Sequence, residues 1–128
     1  MEEIKFTIPL TPISKKNSQQ IFINSKTGKP FISPSKKYKE YERAAVAYCP
    51  RNLGIEAPVN ISCVYYMPTK RKCDLTNLLE ATHDVLVCAQ TIKDDNYNII
   101  SSVDGSEVKL DRENPRTEVT ITFLQKNT

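Results

Sequence analysis

The stretch VNISCVYYMPTKRKCDLTNLLEATHDVL, residues 59–86, decides the fold of this chain. Its first part alternates in polarity as far as Met67, which predicts a strand, and Pro68 closes that strand. Because both faces become apolar towards the end, we expect a central strand that is covered on both sides. A helix is expected from about Thr76 to Gln90. Its predicted buried stripe comprises Leu75, Leu78, Leu79, Thr82, Val85, Leu86 and Ala89.

The flanking sequence supplies the remaining elements. Alternation predicts a strand ending at Pro9, and two short apolar runs around residues 26–29 predict a hairpin. A helix that Ser33 or Ser35 could cap is expected to reach Pro50. Its predicted core stripe comprises Tyr38, Tyr41, Ala45 and Tyr48. Further strands are expected within residues 97–103 and 117–124, with turns at Asp104-Gly105 and Asn114-Pro115.

These elements mix strands and helices without strict alternation, which predicts an α+β fold. We expect a single small domain over residues 1–128, with a mixed or antiparallel sheet packed against two main helices. No apolar run approaches the ~20 residues of a membrane span, so a cytoplasmic protein without membrane contact is expected. The four cysteines form no CxxC pair, which argues against a zinc site and favours free thiols.

Charge is distributed unevenly along the chain. Residues 1–72 carry a balance of +8 and residues 73–128 a balance of −5. Clustered cations are what a surface that binds phosphates needs, although a solvated lysine-rich surface would look similar. The candidate contacts to such a polyanion are Lys15, Lys16, Asn17, Lys36, Lys37, Lys70, Arg71 and Lys72.

Acidic residues gather on the predicted helix and just after it. Asp74, Thr76 and Glu80 can point into one volume near the helix start, and Asp94-Asp95 could fold back towards them. Oxygen ligands of this kind suit Mg²⁺, with Mn²⁺ as a possible substitute. Taken singly, each acid could instead be a helix cap, a turn residue or a solvated side chain. Asp84 is assigned to structural hydrogen bonds, and His83 to the helix surface.

The segments MPTKRKCDLTNLLEATHDVL and IKDDN together resemble the RusA family of Holliday-junction resolvases, which are bacterial and prophage endonucleases. The family pattern is a strand ending in Met-Pro, a basic run, Asp-x-Asp-Asn-Leu, a helix ending Asp-x-Leu, and a paired Asp-Asp. IPLTPISKKNS and NPRTEVTITF resemble the family's first loop and last strand. Asn77 and Asp84 match motif positions. The resemblance implies that Asp74 and Asp95 are Mg²⁺ ligands.

Two positions depart from the family pattern. Thr76 stands where the family has a second acid, and Glu80 stands where it has a lysine. We hypothesise that the ligand has moved one helical turn to Glu80, with Asp94 as a further candidate ligand. Lys72 or Lys93 could replace the missing lysine.

The resemblance implies a Mg²⁺-dependent endonuclease that resolves four-way DNA by paired symmetric nicks, in recombination and repair. A homodimer is also expected, because a four-way junction has approximate two-fold symmetry. One alternative is a catalytically weakened relative that only binds branched DNA. Another is a phosphohydrolase acting on a small nucleotide, although the chain lacks the glycine-rich loop that such enzymes use.

Overall fold

The computed structural model describes residues 2–15 and 19–124. The elements in chain order are β1 (Glu3–Ile8), β2 (Gln19–Ile23), β3 (Pro30–Pro34), α1 (Lys36–Val46), β4 (Val59–Met67), α2 (Leu75–Cys88), β5 (Ile100–Ser102), β6 (Glu107–Leu110) and β7 (Arg116–Phe123). The fold is α+β, with a mixed sheet and two helices, as the sequence predicts.

The main sheet has β4 at its centre. β7 pairs antiparallel with both β1 and β4, whereas β5 and β6 each pair parallel with β4 on its other side. β5 meets the start of β4, where Val59 pairs with Ile100, and β6 meets its end, where Met67 pairs with Leu110. One edge of β4 is therefore shared by two short strands in succession.

Both helices contribute to one core with the sheet. Val59, Ile61, Cys63 and Tyr65 form the buried face of β4, and the alternate residues are only half-buried. β4 is the central strand that the sequence predicts, but the expectation that both faces are covered is wrong. The core residues contributed by the helices include Tyr38, Tyr41 and Ala45 of α1 and Leu78, Leu79, Val85 and Leu86 of α2.

α1 begins as predicted and ends earlier. Ser35 is its N-cap, and the Ser35 hydroxyl accepts a hydrogen bond from the Tyr38 amide at 3.1 Å. The helix ends at Val46 rather than at Pro50, so Tyr48 falls outside the helical periodicity and is 47% exposed. The assignment of Tyr48 to the core is therefore wrong, while Tyr38, Tyr41 and Ala45 are buried as expected.

α2 runs antiparallel to β4. Near its start Leu78 lies beside Met67, and in its middle the hydroxyls of Thr82 and Tyr65 are 2.7 Å apart. At its end the Ala89 carbonyl accepts a hydrogen bond from the Asn52 amide, before β4 begins. Gln90 then adopts a positive φ of 56°, which turns the chain out of the helix. The start of α2 thus lies at the end of β4, and its last turn near the start of β4.

The gap between β5 and β6 is filled by one side chain of β4. Asn60 Oδ1 accepts hydrogen bonds from Ser102 Oγ at 2.6 Å and from the Asp104 amide at 2.8 Å. Asn60 Nδ2 donates to the Asp104 carbonyl at 3.1 Å. Gly105 follows with φ +89°, and a Cβ there would lie 3.0 Å from Ser62 Oγ. The predicted turn at Asp104-Gly105 is thereby fixed against β4. β6, which follows it, was not predicted.

β2 and β3 form the predicted hairpin, and within residues 2–15 and 19–124 they pair only with each other and do not join the main sheet. Its tip is closed by Asn24 Oδ1, which accepts from the amides of Lys26 and Thr27. Ile21 and Ile23 are 74% and 72% exposed, and Phe31 is 48% exposed. The hairpin therefore presents apolar side chains to solvent.

No helix within the described residues has both the length and the apolar composition of a membrane span.

Candidate functional site

Asp74 lies where the loop after β4 enters α2. It is the N-cap residue, yet its side chain makes no capping hydrogen bond to the helix. Asn77 Nδ2 donates to Asp74 Oδ2 at 3.2 Å, and the Asp74 side chain is exposed. Because the carboxylate is not used to close the helix start, it is accessible to an incoming ligand.

Asp94 and Asp95 lie near the other end of α2. They stand between Ile92, which bridges to Ile55, and Ile100, which pairs with Val59 at the start of β4. Asp94 Oδ1 accepts a hydrogen bond from the Asp95 amide at 2.8 Å. This bond, together with one from the Asn96 side chain, lowers the pKa of Asp94. Asp94 is therefore ionised and held in a turn, with Asp95 exposed beside it.

We call the turn that contains Asp94 and Asp95 the acidic turn. It lies close enough to α2 for the Asp95 charge to act on His83. Burial lowers the pKa of His83, while the negative charges of Asp95 and Asp84 oppose that shift. Its Nε2 is buried and has no hydrogen-bond partner among the described residues. The expectation of a helix-surface histidine is thus wrong, because His83 is half-buried and lies within electrostatic range of Asp95.

The four candidate ligands are distributed along α2. Asp74 precedes the helix and Glu80 lies in its second turn, whereas Asp94 and Asp95 follow it. Since a helix rises about 1.5 Å per residue, His83 lies about 13 Å beyond Asp74 along the axis. Within residues 2–15 and 19–124, no three His, Cys, Asp or Glu side chains are grouped so as to hold a metal ion.

The donor chemistry nevertheless fits a hard divalent cation. Asp74, Glu80, Asp94 and Asp95 are all exposed oxygen donors. Mg²⁺ commonly takes only one or two carboxylates from a protein and completes its shell with water and phosphate oxygens. Mg²⁺ could therefore bind together with DNA without a preformed cluster of three carboxylates in the protein.

Lys15 has a different environment from the other candidate DNA contacts. Its ammonium lies 2.5 Å from Asp84 Oδ2 and 5.8 Å from the centre of the Tyr38 ring. The bond to Asp84 raises the pKa of Lys15, and the charges of Glu42 and Glu80 act in the same direction. Lys15 thus joins the loop after β1 to α2. Its ammonium group is paired with Asp84 and is therefore less available for a DNA phosphate than an exposed lysine would be. Lys16 and Asn17 lie outside the described residues.

Three of the remaining cations, Lys37, Arg71 and Lys72, line a cavity of about 420 Å³ that ends at Cys73, the residue before Asp74. We call this cavity the basic cleft. It is lined by Thr11, Pro12, Ile13, Ser14, Lys37, Met67, Pro68, Thr69, Arg71, Lys72, Cys73 and Leu78. Lys37 comes from α1, whereas Arg71 and Lys72 come from the loop between β4 and α2. The fold therefore brings two of the predicted basic groups together. Lys36 and Lys70 are exposed beside these residues in the chain and do not line the cleft.

The similarity of this chain to known proteins covers the residues of the candidate site. The family described as "Endodeoxyribonuclease RusA" matches residues 9–122, which include the basic cleft, Asp74 and the acidic turn. The chain belongs to the RusA family. It is also similar to a protein from Aquifex aeolicus (strain VF5) described as "Crossover junction endodeoxyribonuclease RusA". The two are 29% identical over 99 residues, which is 75% of each chain. The RusA match confirms the family resemblance and indicates a nuclease that acts on DNA.

Sequence reasoning on this RusA chain missed two features, the pairing of Lys15 with Asp84 and the partial burial of His83. The Lys15–Asp84 pair joins residues that are distant in sequence, and no local pattern indicates that they meet. His83 is half-buried because the chain after α2 returns towards the helix, which helical periodicity alone does not reveal. The basic groups and the acids themselves were found from the sequence.

Proposed function

We propose that this protein is a Mg²⁺-dependent endonuclease that resolves four-way DNA junctions by paired symmetric nicks, in recombination and repair. The observation that supports it best is the position of the basic cleft directly before Asp74, within a chain of the RusA family. Such a cleft orients a DNA backbone so that a phosphate next to the bound one lies near the carboxylate. The name of the Aquifex aeolicus relative supports a junction as the substrate.

In this proposal Asp74 and Asp95 are the principal metal ligands, with Glu80 and Asp94 as further ligands. Because Asp74 and Asp95 lie at opposite ends of α2, the proposal requires either two ions or movement of the turn after α2 towards the helix start when metal and DNA bind. Bound Mg²⁺, or Mn²⁺ in its place, would supply Lewis-acid activation of the scissile phosphate and of water. Lys36, Lys37, Lys70, Arg71 and Lys72 would neutralise phosphates and set the register of the DNA. Asn77 would hold the Asp74 carboxylate in one orientation through their 3.2 Å hydrogen bond.

A homodimer is part of the proposal, because two opposed nicks need two sites related by a two-fold axis. The exposed Ile21, Ile23 and Phe31 of the hairpin support a contact between copies. In sedimentation at micromolar concentration we expect a dimer for the wild type and a monomer for Ile23→Lys. Lys5→Glu, a charge change on an exposed residue of β1, should leave the dimer intact. We place the dimer in the bacterial cytoplasm, where chromosomal and prophage DNA is accessible.

The decisive experiment uses a labelled synthetic four-way junction with Mg²⁺. The wild type should give symmetric nicks near the crossover, and Asp74→Asn and Asp95→Asn should each reduce nicking by at least about 10²-fold, as expected for groups that stabilise charge in the transition state. Glu113→Gln changes an exposed acid outside the proposed site and should cut normally. The proposal fails if Asp74→Asn cuts as fast as Glu113→Gln.

A second candidate is a relative that binds branched DNA without cutting it. It is favoured by Thr76 at a motif acid position and by the lack of a group of three potential metal ligands among the described residues. In the same assay this candidate predicts a shifted but uncut junction for the wild type, at every Mg²⁺ and Mn²⁺ concentration tested.

A further inference from the structure

The basic cleft combines two kinds of wall. Lys37, Arg71 and Lys72 provide the cationic part, with Thr11 and Thr69 as exposed hydroxyl residues beside them. The rest is largely apolar and is formed by Pro12, Ile13, Met67, Pro68 and Leu78. Among the described residues, none that lines this cleft carries a carboxylate. It therefore matches a ligand that is anionic at one end and apolar at the other.

The shape of the cleft bears on what part of DNA it receives. Paired DNA presents its phosphates on a convex surface, and exposed lysines can reach them without any cavity. A cavity of about 420 Å³ lies within the size range of pockets that enclose small ligands. A phosphate makes no favourable contact with an apolar wall. A base or sugar that has left the helical stack is stabilised there, because its apolar surface is removed from water.

The cleft walls are also held in place. Lys15, the residue after Ser14, pairs with Asp84 and so fastens residues 11–14 to α2. On the opposite side the Arg71 amide donates to Thr69 Oγ1 at 3.3 Å, which turns the basic loop. The cleft is thus formed without DNA and needs no large rearrangement to admit a ligand.

We propose that the basic cleft is a subsite for one unpaired nucleotide of the DNA strand, held beside Asp74. Its phosphate lies against Arg71, Lys72 and Lys37, and its base lies against the wall formed by Pro12, Ile13 and Pro68. The inference rests on the proposed function and deepens it, because it names the structural feature of branched DNA that is recognised. The preferred substrates are those with a nucleotide outside the helical stack at the branch point.

The test measures binding in EDTA, so that no cleavage occurs. Three labelled duplexes of equal length are compared: a fully paired one, one with a single extrahelical nucleotide, and one in which that nucleotide lacks its base. Wild type should bind the extrahelical nucleotide at least tenfold more tightly than the paired duplex. The abasic form should lose most of that advantage, since the apolar wall then has no base to contact.

Arg71→Ala and Lys70→Ala form a matched pair of variants, because the residues are adjacent cations and only Arg71 lines the cleft. Lys70→Ala should weaken binding to all three duplexes by a similar factor and leave the affinity ratio unchanged. Arg71→Ala should reduce the ratio towards one.

Equal wild-type affinity for the three duplexes would overturn the subsite, as would an unchanged affinity ratio in Arg71→Ala. Retention of the full advantage by the abasic duplex would overturn it too, because only a phosphate would then be bound. Failure of the proposed function is seen separately, as an absence of nicking on a four-way junction with Mg²⁺.

Discussion

The hydroxyl oxygens of Tyr65 and Thr82 lie 2.7 Å apart in the core between β4 and α2. Thr82 also donates to the Leu78 carbonyl at 3.1 Å, so the Tyr65 hydroxyl is the donor of the pair. Burial of the phenol raises the pKa of Tyr65 far above its ordinary value, which keeps it protonated. This bond joins the middle of α2 to β4, and together with the core side chains of α2 it positions Asp74 relative to the end of the strand.

Tyr65→Phe should therefore lower the free energy of unfolding by about 1–2 kcal/mol, because a buried hydrogen bond is lost while the ring still fills the core. Urea denaturation followed by circular dichroism measures the change. Tyr66→Phe is the matched control, since Tyr66 is the next residue of β4 and points to the half-buried face. If both variants lose the same stability, the Tyr65–Thr82 bond does not fix the helix.

Asn60→Ala should cost about 1–2 kcal/mol, because it removes three hydrogen bonds between β4 and residues 102–104, of which the one from the Ser102 hydroxyl is half-buried and the two to the Asp104 backbone are exposed. Asn98→Ala, at an exposed position of the same region, is the control and should cost less than about 0.5 kcal/mol. Equal thermal denaturation of the two variants would show that Asn60 does not join β5 to β6.

Stability should fall as the pH is lowered through about 6.5, owing to His83. Its folded pKa lies below its ordinary value of 6.5, so the unfolded chain takes up a proton first. The free energy of unfolding that depends on neutral His83 is fully present above pH 6.5. It is lost as the pH falls from there towards the pKa of His83 in the folded protein. Urea midpoints at about pH 7.5 and about pH 5.5 measure the effect.

His83→Gln should remove most of that pH dependence, since His83 is the only histidine of the chain. Asp94, whose pKa is lowered by its hydrogen bonds to the Asp95 amide and the Asn96 side chain, stays ionised through this range. An unchanged slope in His83→Gln would show that groups other than this histidine control stability near neutral pH.

Glu80→Ala tests whether a metal ligand has moved along α2 from position 76. We expect Mg²⁺-dependent junction cleavage to fall by at least about tenfold, with DNA affinity in EDTA unchanged or slightly higher because a negative charge is lost. Glu40→Ala, an exposed acid on α1, is the control. Full cleavage by Glu80→Ala would refute the relocation, whatever its effect on binding.

Elements with a strong periodic pattern could be predicted from the sequence. β4 and α2 lie where alternation and helical spacing place them, and the basic groups and the acids could be identified from the sequence. The separation of Asp74 from Asp94 and Asp95 along α2 could not be read from the sequence. β6 was not predicted because its four residues are all exposed and form a strand only through pairing with β4. The burial of His83 and the partner of Lys15 depend on how distant segments return to α2, which local patterns do not contain.

The self-contained pairing of β2 with β3 has a consequence for how the molecule opens. A two-stranded ribbon with exposed isoleucines gains little from the core that stabilises β4 and β7, and such ribbons are marginal in isolation. Its amide protons should therefore exchange through local opening long before those of the main sheet. If amide exchange in this ribbon slows when DNA is added or when the protein concentration is raised, the ribbon contacts DNA or another copy of the chain. This measurement needs no substitution.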